Sequence, residues 1–411
     1  MNRTSWILLA LVLGTCSGGA FATGEYVNWE NHPVNAADLS PDGNTLAIAH
    51  TADARVQLFD VSTGSAVFAG SVSVGLDPVS VRFRSNGELW VVNHVSDSVR
   101  IVYVAGRQVK ASLATLDEPF DVVFAGNGGR AFVSFSQANK IQVFDPASLG
   151  SPAQVVELSA EDPRALAVSP DGTTVYAAIF ESGNATTIVA GATETSDYPP
   201  NGAREAAGPY GGVNPPPNSG NAFSPEINPS LSLEPLVGQI VSKDEAGNWM
   251  DDNNGDWTNL VSGSQAGLSG RVNGWDMPDR DIAVINADSL AVSYLSRLGN
   301  IGMALSVNPA NGNLLWLGTD ATNEVRFEPN VNGTFLKVLG ATVTPGGQST
   351  VTDLNPHLDY SQPTVSQAVR DLSLGDPRGS AWLADGSAAF VAGMGSNNVI
   401  ALNADGTRNA E

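Results

Sequence analysis

Cysteine is all but missing from this 411-residue sequence, with Cys16 the only one. It lies in a leader-like segment, so a processed chain would carry no disulfide, no thiolate zinc site, no iron–sulfur cluster and no Cys-x-x-Cys-His haem attachment. Basic residues are also scarce, with 20 Lys and Arg against 42 Asp and Glu for a net charge of −22. Nucleic acids and anionic membranes are bound through basic patches, so neither is expected as a partner. Such a charge suits the surface of a soluble exported protein, with attraction of cations as the sharper alternative. Long apolar runs are missing too. The run Trp6–Leu13 falls short of the roughly 20 residues a spanning helix needs, so no transmembrane segment is expected. There is no Gly-x-Ser-x-Gly elbow, phosphate loop, His-Glu-x-x-His helix or dinucleotide fingerprint.

What the N-terminus does have is one early Arg3, the apolar run, and Ala20-Phe21-Ala22 before Thr23. That is the pattern of a cleaved signal peptide over residues 1–22, and it places the mature chain, 23–411, in the periplasm or outside the cell. An exported chain without cysteine is held by its core and its strand pairing, as suits a bacterial envelope protein.

The dominant feature is a repeat. Pro163-Arg-Ala-Leu-Ala-Val-Ser-Pro-Asp-Gly172-Thr-Thr-Val-Tyr-Ala-Ala-Ile179 reads as strand, turn, strand, and the phrase recurs with turn glycines at Gly43, Gly87, Gly128, Gly172, Gly312 and Gly386. The first three spacings are 44, 41 and 44, and the next two, 140 and 74, each hold a period plus an insertion. A period of 40–50 residues with four short strands is that of a β-propeller blade, whose sheet buries both faces against its neighbours. The fold class expected is therefore all-β, a propeller of six recognisable blades.

The first three blades read as four strands each, beginning at Asn35, Val79 and Asp121. The fourth starts with Ala165–Ser169 and Thr174–Phe180 and resumes at Asp281–Asn286, after an insertion over 181–280. The fifth reads as Ala304–Asn308, Leu314–Thr319, Glu324–Glu328 and Thr334–Leu339, followed by a second insertion over 341–374. The sixth has three strands, Gly379–Leu383, Ala388–Ala392 and Asn398–Leu402. Either a strand near Glu25–Trp29 completes it, giving a closed monomeric ring, or the sequence is a truncated piece of a seven-bladed protein.

The Ser-Pro-Asp-Gly phrase, with the strand ends Phe59-Asp60 and Phe144-Asp145, resembles the YVTN-type (YncE-like) β-propeller repeat family over about two-thirds of the chain. The nearest form of the family's name motif is Trp90-Val91-Val92-Asn93. The resemblance implies the fold and an envelope location, and it specifies no activity.

With strands A to D running outward from the channel, the B–C and D–A loops share one face, and both insertions open there. The larger is rich in Pro, Gly and Asn and holds Trp249, Trp257 and Trp275, so an irregular packed lid is expected. Ligand-face candidates follow from the same geometry. His50 and His94 begin equivalent B–C loops, with Asn93 beside the second. Asp77, Glu118, Asp162 and Asp376 each precede a Pro at a D–A loop, and Arg378 follows the last of these. Such acids either cap local backbone or form an acidic ring at the channel mouth. Asp251, Asp252, Asn254 and Asp256 have the oxygen-donor density of a site for calcium or another divalent cation, without EF-hand spacing. The expected function is a binding or interaction scaffold for a protein or small-molecule ligand on the lidded face. The alternative is a metal-assisted, lactonase-like hydrolase or a redox-associated enzyme on the same face, because propellers host both kinds of activity.

Overall fold

Ser-Pro-Asp-Gly folds as a side-chain-locked turn. Ser40 Oγ donates to Asp42 Oδ1 at 2.6 Å and accepts from Thr45 N at 2.9 Å, while Gly43 takes φ +73°. Ser169, Asp171, Thr174 and Gly172 repeat the arrangement in the fourth blade. A left-handed residue is needed to reverse the chain here, which is why Gly closes the phrase.

The computed structural model describes residues 32–151, 153–189, 203, 205–212, 238–321, 334, 336–360, 362 and 364–409. The signal segment and the expected strands Glu25–Trp29 and Glu324–Glu328 lie outside them. Six radial sheets form an all-β propeller. Blade 1 is β1 (Ala37–Leu39), β2 (Thr45–His50), β3 (Arg55–Asp60) and β4 (Val67–Ser73). Blade 2 is β5 (Pro78–Ser85), β6 (Glu88–Asn93), β7 (Ser98–Tyr103) and β8 (Gln108–Ala114). Blade 3 is β9 (Pro119–Ala125), β10 (Arg130–Phe135), β11 (Lys140–Phe144) and β12 (Gln154–Glu157). Each sheet pairs antiparallel in sequence order, and near-continuous apolar strands such as β6 and β10 reflect burial on both faces.

In blade 4, β13 (Glu161–Val168) and β14 (Thr174–Glu181) are joined across the insertion by β18 (Ile282–Asn286) and β19 (Val292–Leu295). The insertion is more regular than an irregular lid. It contains a three-stranded sheet of β15 (Thr186–Val189), β16 (Gln239–Lys243) and β17 (Trp249–Met250). Val189, Val241, Trp249, Trp257, Leu260 and Val261 give it a small core of its own.

The fifth blade corrects the strand assignment. It is β20 (Ile301–Val307), β21 (Leu314–Ala321), β22 (Leu336–Val343) and β23 (Ser349–Asp353). The expected outer strand, Thr334–Leu339, instead overlaps the third strand, because eight residues of β21 pair with β22 from Leu314↔Val343 to Ala321↔Leu336. The outer strand comes from residues expected to belong to the second insertion. Blade 6 is β24 (Pro377–Trp382), β25 (Ala388–Gly393) and β26 (Asn398–Asn403). Its inward face packs Val391, Ile400 and Leu402 onto Leu315 and Leu317 of blade 5, while on the other face Phe390 is 44 % exposed.

Candidate functional site

Strand A of each blade starts at one rim of the central channel, on the face of the B–C and D–A connections. Pro119, Pro163 and Pro377 occupy the same place, opposite Phe135, Ile179 and Gly393 on their B strands. The four acids before a strand-A proline, Asp77, Glu118, Asp162 and Asp376, all take left-handed φ, between 52° and 58°. This turns the chain into strand A while aiming the acid's carbonyl at the B–C loop. His94 N donates to Asp77 O at 2.9 Å, Ser136 N to Glu118 O at 3.2 Å and Met394 N to Asp376 O at 3.0 Å. Asp tolerates left-handed backbone better than most residues, so the repeated acid has a backbone reason.

The side chains of Glu118, Asp162 and Asp376 are taken up by local partners, which favours the local-structure alternative over an acidic ring at the mouth. Asp162 takes Arg164 in a fork, Nε to Oδ1 at 2.8 Å and Nη2 to Oδ2 at 2.5 Å. Asp376 Oδ1 lies 2.7 Å from Arg378 Nε. Glu118 Oε2 accepts from Ser136 Oγ at 2.8 Å and lies 3.8 Å from His94 Nε2. Asp77 is buried.

These pairs converge on aromatic rings. The Arg164 guanidinium lies 3.5 Å from the Phe180 ring centre and 4.7 Å from that of Phe120. Arg378 approaches the same Phe180 at 5.8 Å, and His94 packs on Phe120 with ring centres 4.5 Å apart. Such contacts hold a guanidinium flat and fixed. Arg378 differs from Arg164 in its donors. Its side chain is 16 % exposed, it is ion-paired with Asp376 through Nε alone, and among the described residues its Nη nitrogens have no protein acceptor. Burial pulls its pKa below the ordinary value, Asp376 opposes this, and the like charge of Arg164 adds to the lowering.

Farther along the channel Asp121 is fully buried. Its carboxylate accepts from Asn35 Nδ2 and Ser80 Oγ, both at 2.6 Å, from Val122 N at 2.8 Å and from Leu166 N at 2.9 Å, with Arg82 Nη2 at 3.4 Å. It thus ties blades 1, 2, 3 and 4 across the axis. Beyond it a cavity of about 460 Å³ touches the inner strands of all six blades, including Asp38, Arg82 and Ser380. Burial raises the Asp38 pKa.

At the root of the insertion Asp281 is buried, accepting from Ser182 Oγ at 2.9 Å and from Leu298 N at 2.8 Å. Burial first, then the neighbouring Asp279 carboxylate, pushes its pKa up to about 8. Asn184 ties this root to blade 5 through Asp320 Oδ1 and Ala321 O.

The remaining candidates are scattered. Asn93 is not a ligand-face group: it is buried, accepts from Gly75 N, and donates to Val91 O and Ser98 O. His94 is buried against Phe120 whereas His50 is exposed. Asp251 organises a turn rather than offering its oxygens to a cation. It accepts from Asn253 N, Gly255 N, Tyr210 Oη and Trp257 Nε1 at 2.7–2.8 Å. Asp252, Asn254 and Asp256 are exposed around it. Among the described residues no three His, Cys, Asp or Glu side chains are grouped to hold a metal. Sequence reasoning missed Phe120, Arg164, Phe180 and Asp121. Only Arg164 left a signal, following Asp162-Pro163 as Arg378 follows Asp376-Pro377.

No family model matches the chain, and no curated protein does. Among solved structures, the chain is similar to Kuenenia stuttgartiensis hydrazine synthase, with a TM-score of 0.54 and 17% identity over 93% of this chain and 80% of that one. It is also similar to the Pseudomonas aeruginosa periplasmic gluconolactonase, at 0.47 and 14% over 93% and 85%. A putative 6-phosphogluconolactonase from Bacteroides uniformis stands at 0.46 and 15% over 93% and 85%. At such identities the likeness is one of fold, and the fold is a β-propeller.

Proposed function

We propose that this chain is a YVTN-type propeller of the bacterial envelope whose ligand binds at the channel mouth, without chemistry, between Arg164, Phe180 and Arg378. The observation carrying this reading is the convergence of two guanidiniums on Phe180, with Arg378 ion-paired to Asp376 through Nε and its Nη nitrogens without a protein acceptor among the described residues. A planar donor edge left open at a channel mouth is placed to meet a ligand. The site stands at the foot of the large insertion, since Phe180 and Glu181 end β14 just before it. A screen of metabolites against the mature protein by thermal shift and calorimetry tests the proposal. Hits should stabilise the wild type and lose their effect in Phe180→Ala.

The hydrolase alternative would draw on the Asp279–Asp281 pair, whose shared proton gives an acid near neutral pH. Asp281 is fully buried and hydrogen-bonded to Ser182 and Leu298, which favours a structural role at the insertion's root. We also propose export with cleavage after Ala22, on the strength of the leader-like segment, so that N-terminal sequencing of the mature protein should begin at Thr23. A sequence starting at Met1 would reject it.

A further inference from the structure

We infer that the ligand of this site carries an oxyanion, a carboxylate or phosphate group, gripped jointly by Arg378 and Arg164 beside Phe180. This rests on the channel-mouth reading above and adds the ligand's chemical class. Three observations converge on it.

The first is the supply of donors. Arg378 Nε is ion-paired with Asp376 Oδ1 at 2.7 Å, whereas among the described residues its Nη1 and Nη2 have no protein acceptor, and Arg164 gives Asp162 only Nε and one Nη2 hydrogen, leaving Nη1 likewise without one. Guanidinium donors lie in one rigid plane that matches the paired oxygens of carboxylates and phosphates, so these Nη edges are free to take such an acceptor.

The second is preorganisation. Arg164 is held between the Phe120 and Phe180 rings and by the Asp162 fork, so its unused edge is fixed in direction. Both guanidinium carbons lie within 5.8 Å of the centre of the same Phe180 ring. Burial is the main cause of the lowered Arg378 pKa and the like charge of Arg164 adds to it, so an anion between the two guanidiniums would relieve that repulsion.

The third is contrast within the channel. Arg84, on the inner strand of blade 2, donates to Glu88 Oε1 and Gly128 O. Its Nη donors have internal acceptors of the kind the Arg378 Nη nitrogens lack among the described residues. A divalent cation does not suit the mouth, because the carboxylates of Asp162 and Asp376 already face arginines.

The test titrates the full mature chain with inorganic phosphate and with succinate, using sodium chloride and glucose as controls, by calorimetry. At least one oxyanion should bind saturably, and phosphate-only or succinate-only binding tells the two sources apart. Arg378→Gln should weaken it about tenfold or more, and Arg378→Lys should fall between, retaining a point charge without the fork. Arg370→Gln, on the exposed turn Gln367–Arg370, should bind like wild type. If Arg378→Gln fails to fold, the Nε–Hε resonances of wild-type arginines are followed by NMR instead, and those of Arg378 and Arg164 should move on titration. No saturable oxyanion binding, or binding indifferent to Arg378, overturns the inference. Glucose binding that is lost in Phe180→Ala would then leave the channel-mouth reading standing, and loss of every ligand class would remove both.

Discussion

Two charged side chains on one channel are treated in opposite ways. Asp121, fully buried, takes five donors drawn from four blades. Arg378, at the mouth, has one ion-pair partner, Asp376, and no other protein acceptor among the described residues. A buried charge whose every lone pair is met belongs to the architecture, because removing it strands its partners. A charge with idle donors contributes little to holding the blades together, and its cost is tolerable only where something else completes it. Asp281 shows a third treatment, in which burial and then the neighbouring Asp279 carboxylate raise the carboxyl's pKa.

Asp121→Ala should break the comparison most forcefully. It orphans donors on blades 1 to 4, and urea unfolding should show a loss of about 3–5 kcal/mol. A loss under 1 kcal/mol would mean that the cross-channel network is decorative. Asp251→Ala comes next, at about 2 kcal/mol, confined to the insertion, since its four donors all lie there. Hydrogen exchange should quicken around Trp249 and Trp257 while the blades stay protected.

Asp281 sharpens the contrast through pH. Its folded pKa is raised above its unfolded value, so between about pH 4 and pH 8 the native state holds more proton than the unfolded chain. Stability is therefore fullest at the acid end and falls as pH rises, by at most about 1.4 kcal/mol per pH unit. Asp281→Asn should flatten that slope, and an unchanged slope would assign the proton elsewhere. The smallest effect expected is that of Arg378→Gln, within about 1 kcal/mol in the ligand-free protein. A loss as large as that of Asp121→Ala would make Arg378 structural and abolish the distinction.

How much of this could be read from the residues varies from place to place. The Ser-Pro-Asp-Gly turns of blades 1 and 4 carry their own hydrogen bonds, so the strand pairs around them were legible in the residues. Thr334–Leu339 misled because a lone apolar stretch does not say which neighbour it pairs with, and only the register Leu314↔Val343 does. The acids before proline were visible, but their pairing with arginines two residues on drew notice only at Arg378. Asp251 looked like a cation ligand because spacing reports oxygen atoms and not the N–H groups that surround them.

The amino-acid sequence by itself determined the strand-turn-strand grammar of the repeat, since that depends on contacts within about 50 residues of chain. The tertiary structure alone decided which charges are satisfied. Asn35 reaches Asp121 across 86 residues, and Arg164 and Arg378 meet at one phenylalanine from different blades. Radial closure of the sheets sets those distances, and no local pattern encodes them.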